Sequence, residues 1–292
     1  MMAGIGSGLG RTPYEVRTPK RIGVLLCARD VNEAALSFLV LCMNCQQESF
    51  QYEFLPPKPD DEFLNPLYGT AELHRDEVRA KARSFCQQYR DYLVDFSERY
   101  KLREPPPGYF VAITTARFTD NYYSMREGDL SIIALGNWKR SMAPPSLLEF
   151  VLTLLAREAV AAASRSLRSS IHLGTKGCLF DFTPHLSEVR QKVLHAFICA
   201  YCRAALEADG LPELASELES VLGRQWLGTP TEPNTPAGIA SNLGYDLFVT
   251  KGLKATPWEA FKSTVRQESA AQLVTVAGVL LVAVLLVVLG LK

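Results

Sequence analysis

Arg21-Ile22-Gly23-Val24-Leu25-Leu26-Cys27-Ala28 is a short apolar run with β-branched residues, and it reads as a buried strand. Asp30 and Asn32 can cap the next segment, and Val31 to Gln47, apolar on most turns, reads as a helix. Phe50 to Leu55 alternates like a second strand and is closed by Pro56 and Pro57; residues 56–70 are a Pro- and Asp-rich loop. Ala71 to Leu102 is a long charged helix with Val78, Ala82, Phe85, Tyr89, Leu93 and Phe96 on one side, and Pro105-Pro106-Pro107-Gly108 ends it. Tyr109 to Thr115 and Leu130 to Leu135 are two further strands joined by a polar loop. Pro144 and Pro145 introduce a strongly apolar helix, Leu147 to Ala163. The order β-α-β-α-β-β-α predicts a three-layer α/β domain.

The chain holds 31 Lys plus Arg and 31 Asp plus Glu, so its charge gives no argument for nucleic-acid binding. The first strand-to-helix turn, Cys27 to Asn32, has no glycine, which argues against a dinucleotide fold. There is no Gly-x-Ser-x-Gly elbow and no Gly-x4-Gly-Lys phosphate loop. Seven cysteines in 292 residues are not a disulfide framework, and they suggest reduced thiols or a metal site.

After residue 170 the texture changes: residues 172–202 hold three of the seven cysteines and three of the four histidines. Cys199-Ala200-Tyr201-Cys202 can aim two sulfurs at one tetrahedral metal, and zinc needs two further ligands from elsewhere. Cys178 is the natural third, and His172, His185 or His195 can be the fourth, His172 being preferred. A Cys–His pair of the same cluster could instead serve a thiol enzyme, a reading that uses these atoms less well. Cys42 and Cys45 share the spacing but fall within an apolar helix, where core packing is the expectation. Beyond the cluster, a helix is expected from about Cys202 to Leu222, a Gly-, Pro-, Thr- and Asn-rich loop or hinge over 227–244, a last strand over Tyr245 to Thr250, and a short helix capped by Thr256 with Pro257 at its first position.

These stretches resemble the archaemetzincins, small zinc metallopeptidases of the zincin class. That family carries HExxHxxGxxHC on a helix, then C-x-M, then CxxC. Here Asp129 to Ile133 matches the strand before the helix and Leu147 to Ala163 the helix itself. Gly177-Cys178-Leu179-Phe180-Asp181-Phe182 is similar to the CxM segment, with Phe180 in place of Met, and Cys199 and Cys202 match the closing pair. His172 is placed like the family's third histidine. The resemblance covers roughly residues 20–205 and implies a zincin-like α/β fold with a mixed sheet. The best alignment of the catalytic helix is Arg157-Glu158-Ala159-Val160-Ala161, where the glutamate is present and both histidines are absent. Glu158 would then be a vestige of the catalytic general base, without two imidazoles to hold a catalytic zinc. The family's first structural cysteine is here Leu173, so the resemblance implies that His172 substitutes for it in a structural zinc site with Cys178, Cys199 and Cys202. Arg157 and Glu158 are otherwise expected at the solvent edge of their helix.

Leu273 to Leu291 is uncharged, with Thr275 its one polar side chain, and at 1.5 Å per residue it reaches roughly 28 Å. It reads as a single transmembrane tail anchor. Lys251, Lys254, Lys262 and Arg266 before it put the bulk of the chain in the cytoplasm, as a single-pass membrane protein.

The expected organisation is a flexible lead (1–20), a zincin-like domain (21–205), a helical extension and linker (206–270) and the anchor (271–292). The leading function is a catalytically degenerate, membrane-anchored metallopeptidase-like protein that binds, senses or acts through other proteins or through self-association. One rival is an active zinc metallopeptidase with a rearranged site that uses His172 and Glu158. A second is a membrane-perturbing effector that oligomerises through its transmembrane helix.

Overall fold

The computed structural model describes residues 18–69, 72–169, 171–173, 177–183 and 186–267, together with positions 278, 281, 282 and 289. Its frame is a mixed five-stranded sheet. In chain order the elements are β1 (Lys20–Cys27), α1 (Glu33–Asn44), β2 (Phe50–Phe54), β3 (Glu72–Leu73), α2 (Arg75–Tyr100), β4 (Tyr109–Thr114), β5 (Arg117–Phe118), β6 (Ser124–Glu127), β7 (Leu130–Ala134) and α3 (Leu147–Ala163). After α3 come α4 (Leu186–His195), α5 (Ala200–Ala208), α6 (Pro212–Gly223) and α7 (Pro236–Asn242). The sheet order is β2-β1-β4-β7-β6, parallel except for the antiparallel edge strand β6. β3 and β5 form a separate parallel pair.

Side-chain alternation along the central strands divides the interior into two layers. Ile22, Val24, Tyr109, Val111 and Ile113 face α1 and α3, whereas Leu25, Cys27, Phe110, Ala112 and Ile132 face α2. Asn32 caps α1 by accepting a hydrogen bond from the Ala35 amide at 2.9 Å, and Ser146 and Glu149 form a capping box at the start of α3. Leu214, Leu218, Val221, Ala237, Ala240 and Tyr245 join the layer beneath α1 and α3, so α6 and α7 pack on the same core.

Several expectations are corrected. The polar loop between β4 and β7 contains the edge strand β6, whose pairing with β7 organises a segment that apolar periodicity does not mark. The single helix expected from Cys202 to Leu222 is two helices, broken where Gly210 takes φ +76° and Pro212 opens α6. The hinge over 227–244 contains α7. Tyr245 to Thr250 forms no strand, because Asp246 Oδ1 accepts from the Phe248 and Val249 amides at 2.8 and 3.0 Å and turns the chain. Cys42 and Cys45 are not core: Cys42 is half-buried and Cys45, at the C-cap of α1, is exposed.

The C-terminal transmembrane helix is also corrected. Among the described residues no helix is long and apolar enough to cross a membrane. Of Leu273–Leu291 only Gly278, Leu281, Val282 and Leu289 are described, and the rest lies outside the described residues, as do positions 1–17 of the lead. The described part of the helix that follows the expected Thr256 cap, residues 257–267, carries Glu259, Lys262 and Arg266. A span needs roughly 20 consecutive helical residues, and apolar composition does not by itself place a continuous helix.

Candidate metal centre

His172, Cys178, Cys199 and Cys202 converge on one point, with one ligand atom from each lying within 4.8 Å of all the others. Three local devices bring them together. Gly177, at φ +79°, turns the chain into Cys178, a backbone conformation that favours glycine. Parallel bridges join His172 to Asp181 and Cys178 to Phe197, with the Leu179 amide donating to the Phe197 carbonyl at 2.9 Å. Cys199 is the N-cap of α5, which puts Cys202 in the first turn of the same helix. The Cys-x-x-Cys spacing therefore gathers both sulfurs at a helix N-terminus, where the helix dipole favours negative charge.

The distances suit four-coordinate binding. His172 Nε2 lies 3.1 Å from Cys202 Sγ and 3.6 Å from Cys199 Sγ, and Cys178 Sγ lies 4.0 Å from Cys202 Sγ. A tetrahedral ion with sulfur arms of about 2.3 Å and a nitrogen arm of about 2.0 Å separates its ligand atoms by roughly 3.5–3.8 Å. Small adjustments would meet that geometry, so the cluster could hold a metal ion and is compatible with zinc. Cys178 and Cys202 are fully buried and His172 nearly so.

The hydrogen bond between the Cys202 and Cys178 sulfurs, with the amides of Phe180 and Cys199, outweighs burial and holds the Cys178 thiol below its ordinary value. The same hydrogen bond and burial raise Cys202, which keeps its proton.

Asp181, which the sequence pattern does not single out as a functional residue, holds two of the ligands. Its Oδ1 lies 3.1 Å from His172 Nδ1 and its Oδ2 accepts from the Cys178 amide at 3.1 Å. Behind it, the buried Lys192 ammonium donates to the Asp181 carbonyl and lies 3.3 Å from Thr183 Oγ1. Burial first, and the charge of Arg157 second, lower Lys192 to about 7. Leu173, beside His172, is 84 % exposed and takes no part. Among the alternative fourth ligands, His195 is exposed at the end of α4 and His185 lies outside the described residues.

The expectation that Arg157 and Glu158 lie at the solvent edge is corrected. Glu158 is 1 % exposed, on the face of α3 turned to the sheet. Its Oε2 accepts from Tyr109 Oη at 3.1 Å and from Arg126 Nη2 and Nε at 2.7 and 3.0 Å. Arg126 comes from β6, and an isolated buried carboxylate would be too costly without such a partner. Burial would push the Glu158 carboxyl up, but the charges of Arg126 and Arg157 outweigh it and hold the group below its ordinary value. Arg157 lies one residue earlier, with Nη1 3.2 Å from Ser124 Oγ and 3.7 Å from Glu158 Oε1.

Glu158, Arg126 and Arg157 line a cleft of about 440 Å³ beside β6 that also reaches Asp181 and Thr183. The structure therefore brings the four expected ligands together and leaves Glu158 outside their cluster. No family model matches the chain, and neither does any curated protein or solved structure.

Proposed function

We propose that this chain is a zincin-like, catalytically degenerate module that carries one structural zinc and works by binding other molecules rather than by cutting peptides. The observation that carries this reading is the state of Glu158, the residue that the archaemetzincin resemblance aligns with the catalytic base. Its Oε2 is engaged by Tyr109 and Arg126. The positions expected to hold metal-binding histidines are Arg157, a cation, and Ala161, which has no donor. Among the described residues the His/Cys cluster is the only group of three or more metal-type side chains so placed. His172, the one histidine a rearranged active site could borrow, faces Cys199, Cys202 and Asp181 instead. The mixed sheet followed by α3 is consistent with the resemblance.

Zinc is the metal that three thiolates and an imidazole suit best in a closed four-ligand site. Its role there would be structural. It would tie the segment after α3 to α5, and its binding energy would become folding energy. All seven cysteines are unpaired, which supports a reducing compartment. The binding partner would be another protein or a second copy of the chain.

Elemental analysis of the purified full chain together with a peptide-hydrolysis assay tests this reading. One zinc per chain and no hydrolysis are expected. Two zincs per chain, or hydrolysis abolished by Glu158→Gln in a protein that still folds, would replace the binding role with an enzymatic one.

A further inference from the structure

We propose that the cleft beside β6 is a binding site for a small phosphomonoester, with the Arg157 guanidinium as its central contact. This adds a small-molecule ligand to the non-catalytic binding role above and rests on that reading.

Five arginines line the cleft: Arg75 and Arg79 from α2, Arg126 from β6, Arg157 from α3 and Arg168 just beyond α3. Three carboxylates line it too, but each is already engaged: Glu158 by Arg126, Asp181 by His172 and the Cys178 amide, and Glu127 by Arg83 at 3.2 Å. Most of the arginines are also engaged. Arg75 pairs with Asp120 and stacks on Tyr122, with its guanidinium carbon 3.9 Å from the ring centre. Arg168 donates to the Ala161 carbonyl at 3.0 Å.

Arg157 differs. Its side chain is only 16 % exposed, its Nε is buried without an acceptor among the described residues, and its Nη1 lies 3.2 Å from the Ser124 hydroxyl. The nearest carboxylate oxygen, 3.7 Å away, belongs to a group that Arg126 already neutralises. A buried guanidinium donor left unpaired is costly, and its fork of N–H groups matches a tetrahedral oxyanion.

The size and charge of the site narrow the ligand. A volume of about 440 Å³ accommodates a phosphate carrying a sugar-sized group, and lies within the usual range of small-molecule sites. Arg75, Arg79, Arg126 and Arg168 each pair with a carboxylate, which leaves the Arg157 guanidinium as the uncompensated charge and suits an anionic ligand such as a phosphomonoester. Ser124 and Thr183 add hydroxyls at the walls.

Calorimetric titration of the full chain at low salt tests this, with inorganic phosphate and phenyl phosphate as probes and succinate as the dicarboxylate arm. Saturable binding of both phosphates at one site is expected, with succinate weaker. Arg157→Met should weaken phosphate binding by about tenfold or more, as expected for a charge-assisted contact. Arg79→Ala, at the more exposed end of the cleft, should weaken it by about threefold and gives a second readout if Arg157→Met does not fold. Arg99→Ala, exposed at the far end of α2, should change nothing. Absence of saturable phosphate binding, indifference to both cleft substitutions, or equal affinity for succinate overturns the assignment. Peptide hydrolysis, measured separately, bears on the non-catalytic reading alone.

Discussion

Asp181 Oδ1 lies 3.1 Å from His172 Nδ1, which turns the other ring nitrogen of the histidine toward the sulfurs of Cys199 and Cys202. A carboxylate in this position fixes the tautomer and orientation of a metal-binding imidazole. Asp181→Ala should therefore weaken metal retention by about 10- to 100-fold with all four ligands still present. Competition with a chromogenic chelator measures this; retention equal to that of the unaltered chain would remove Asp181 from the site.

The cluster ties two separated segments together, so its loss should be felt globally. Cys199→Ser and His172→Ala should each lower the melting temperature and the bound metal, whereas Cys42→Ser and His195→Ala, away from the cluster, should do neither. Thermal denaturation with and without a strong chelator checks the pattern. A well-folded, metal-free chain indifferent to chelators would show that the cysteines only pack.

Glu158→Ala leaves the Arg126 guanidinium mostly buried without its carboxylate. Breaking a buried pair in this way costs about 3–5 kcal/mol, whereas replacing both partners with apolar residues can be nearly neutral. Glu158→Ala should be strongly destabilising, and Glu158→Leu combined with Arg126→Met should recover much of the loss. Urea unfolding of the single and double variants measures the coupling; additive effects would show that the pair does not act as a unit.

The same pair has a pH signature. The Glu158 carboxyl is held below its ordinary 4.5 in the fold, so it binds fewer protons folded than unfolded. Its stabilisation is fully present above that value and is lost as pH falls through the lower, folded one. The stability difference between the unaltered chain and Glu158→Gln should be constant from pH 7 to 5 and shrink below 4.5. Comparing the two chains cancels the loss of metal that acid also causes. A difference unchanged down to pH 3 would show that Glu158 is not ionised in the fold.

Much of the architecture was legible from local pattern. The apolar run at β1, the alternation at β2, the buried strands β4 and β7 and the bounds of α3 are set by residues within a turn or a pleat of each other. The Cys199–Cys202 spacing likewise marked a shared sulfur site, because an N-cap and the third residue after it lie on one side of a helix start. Local pattern was misleading where partners are distant. The polar strand β6 exists because β7 pairs with it. Glu158 looked like a surface residue because nothing near it in sequence announces Arg126, 32 positions earlier, or Tyr109, 49 positions earlier. The sequence by itself determined the layered α/β order and named the four residues of the His/Cys cluster. Only the tertiary structure decided that Asp181 orients them and that Glu158 is a buried ion pair, because charge burial is settled by which side chains the sheet and α3 bring together.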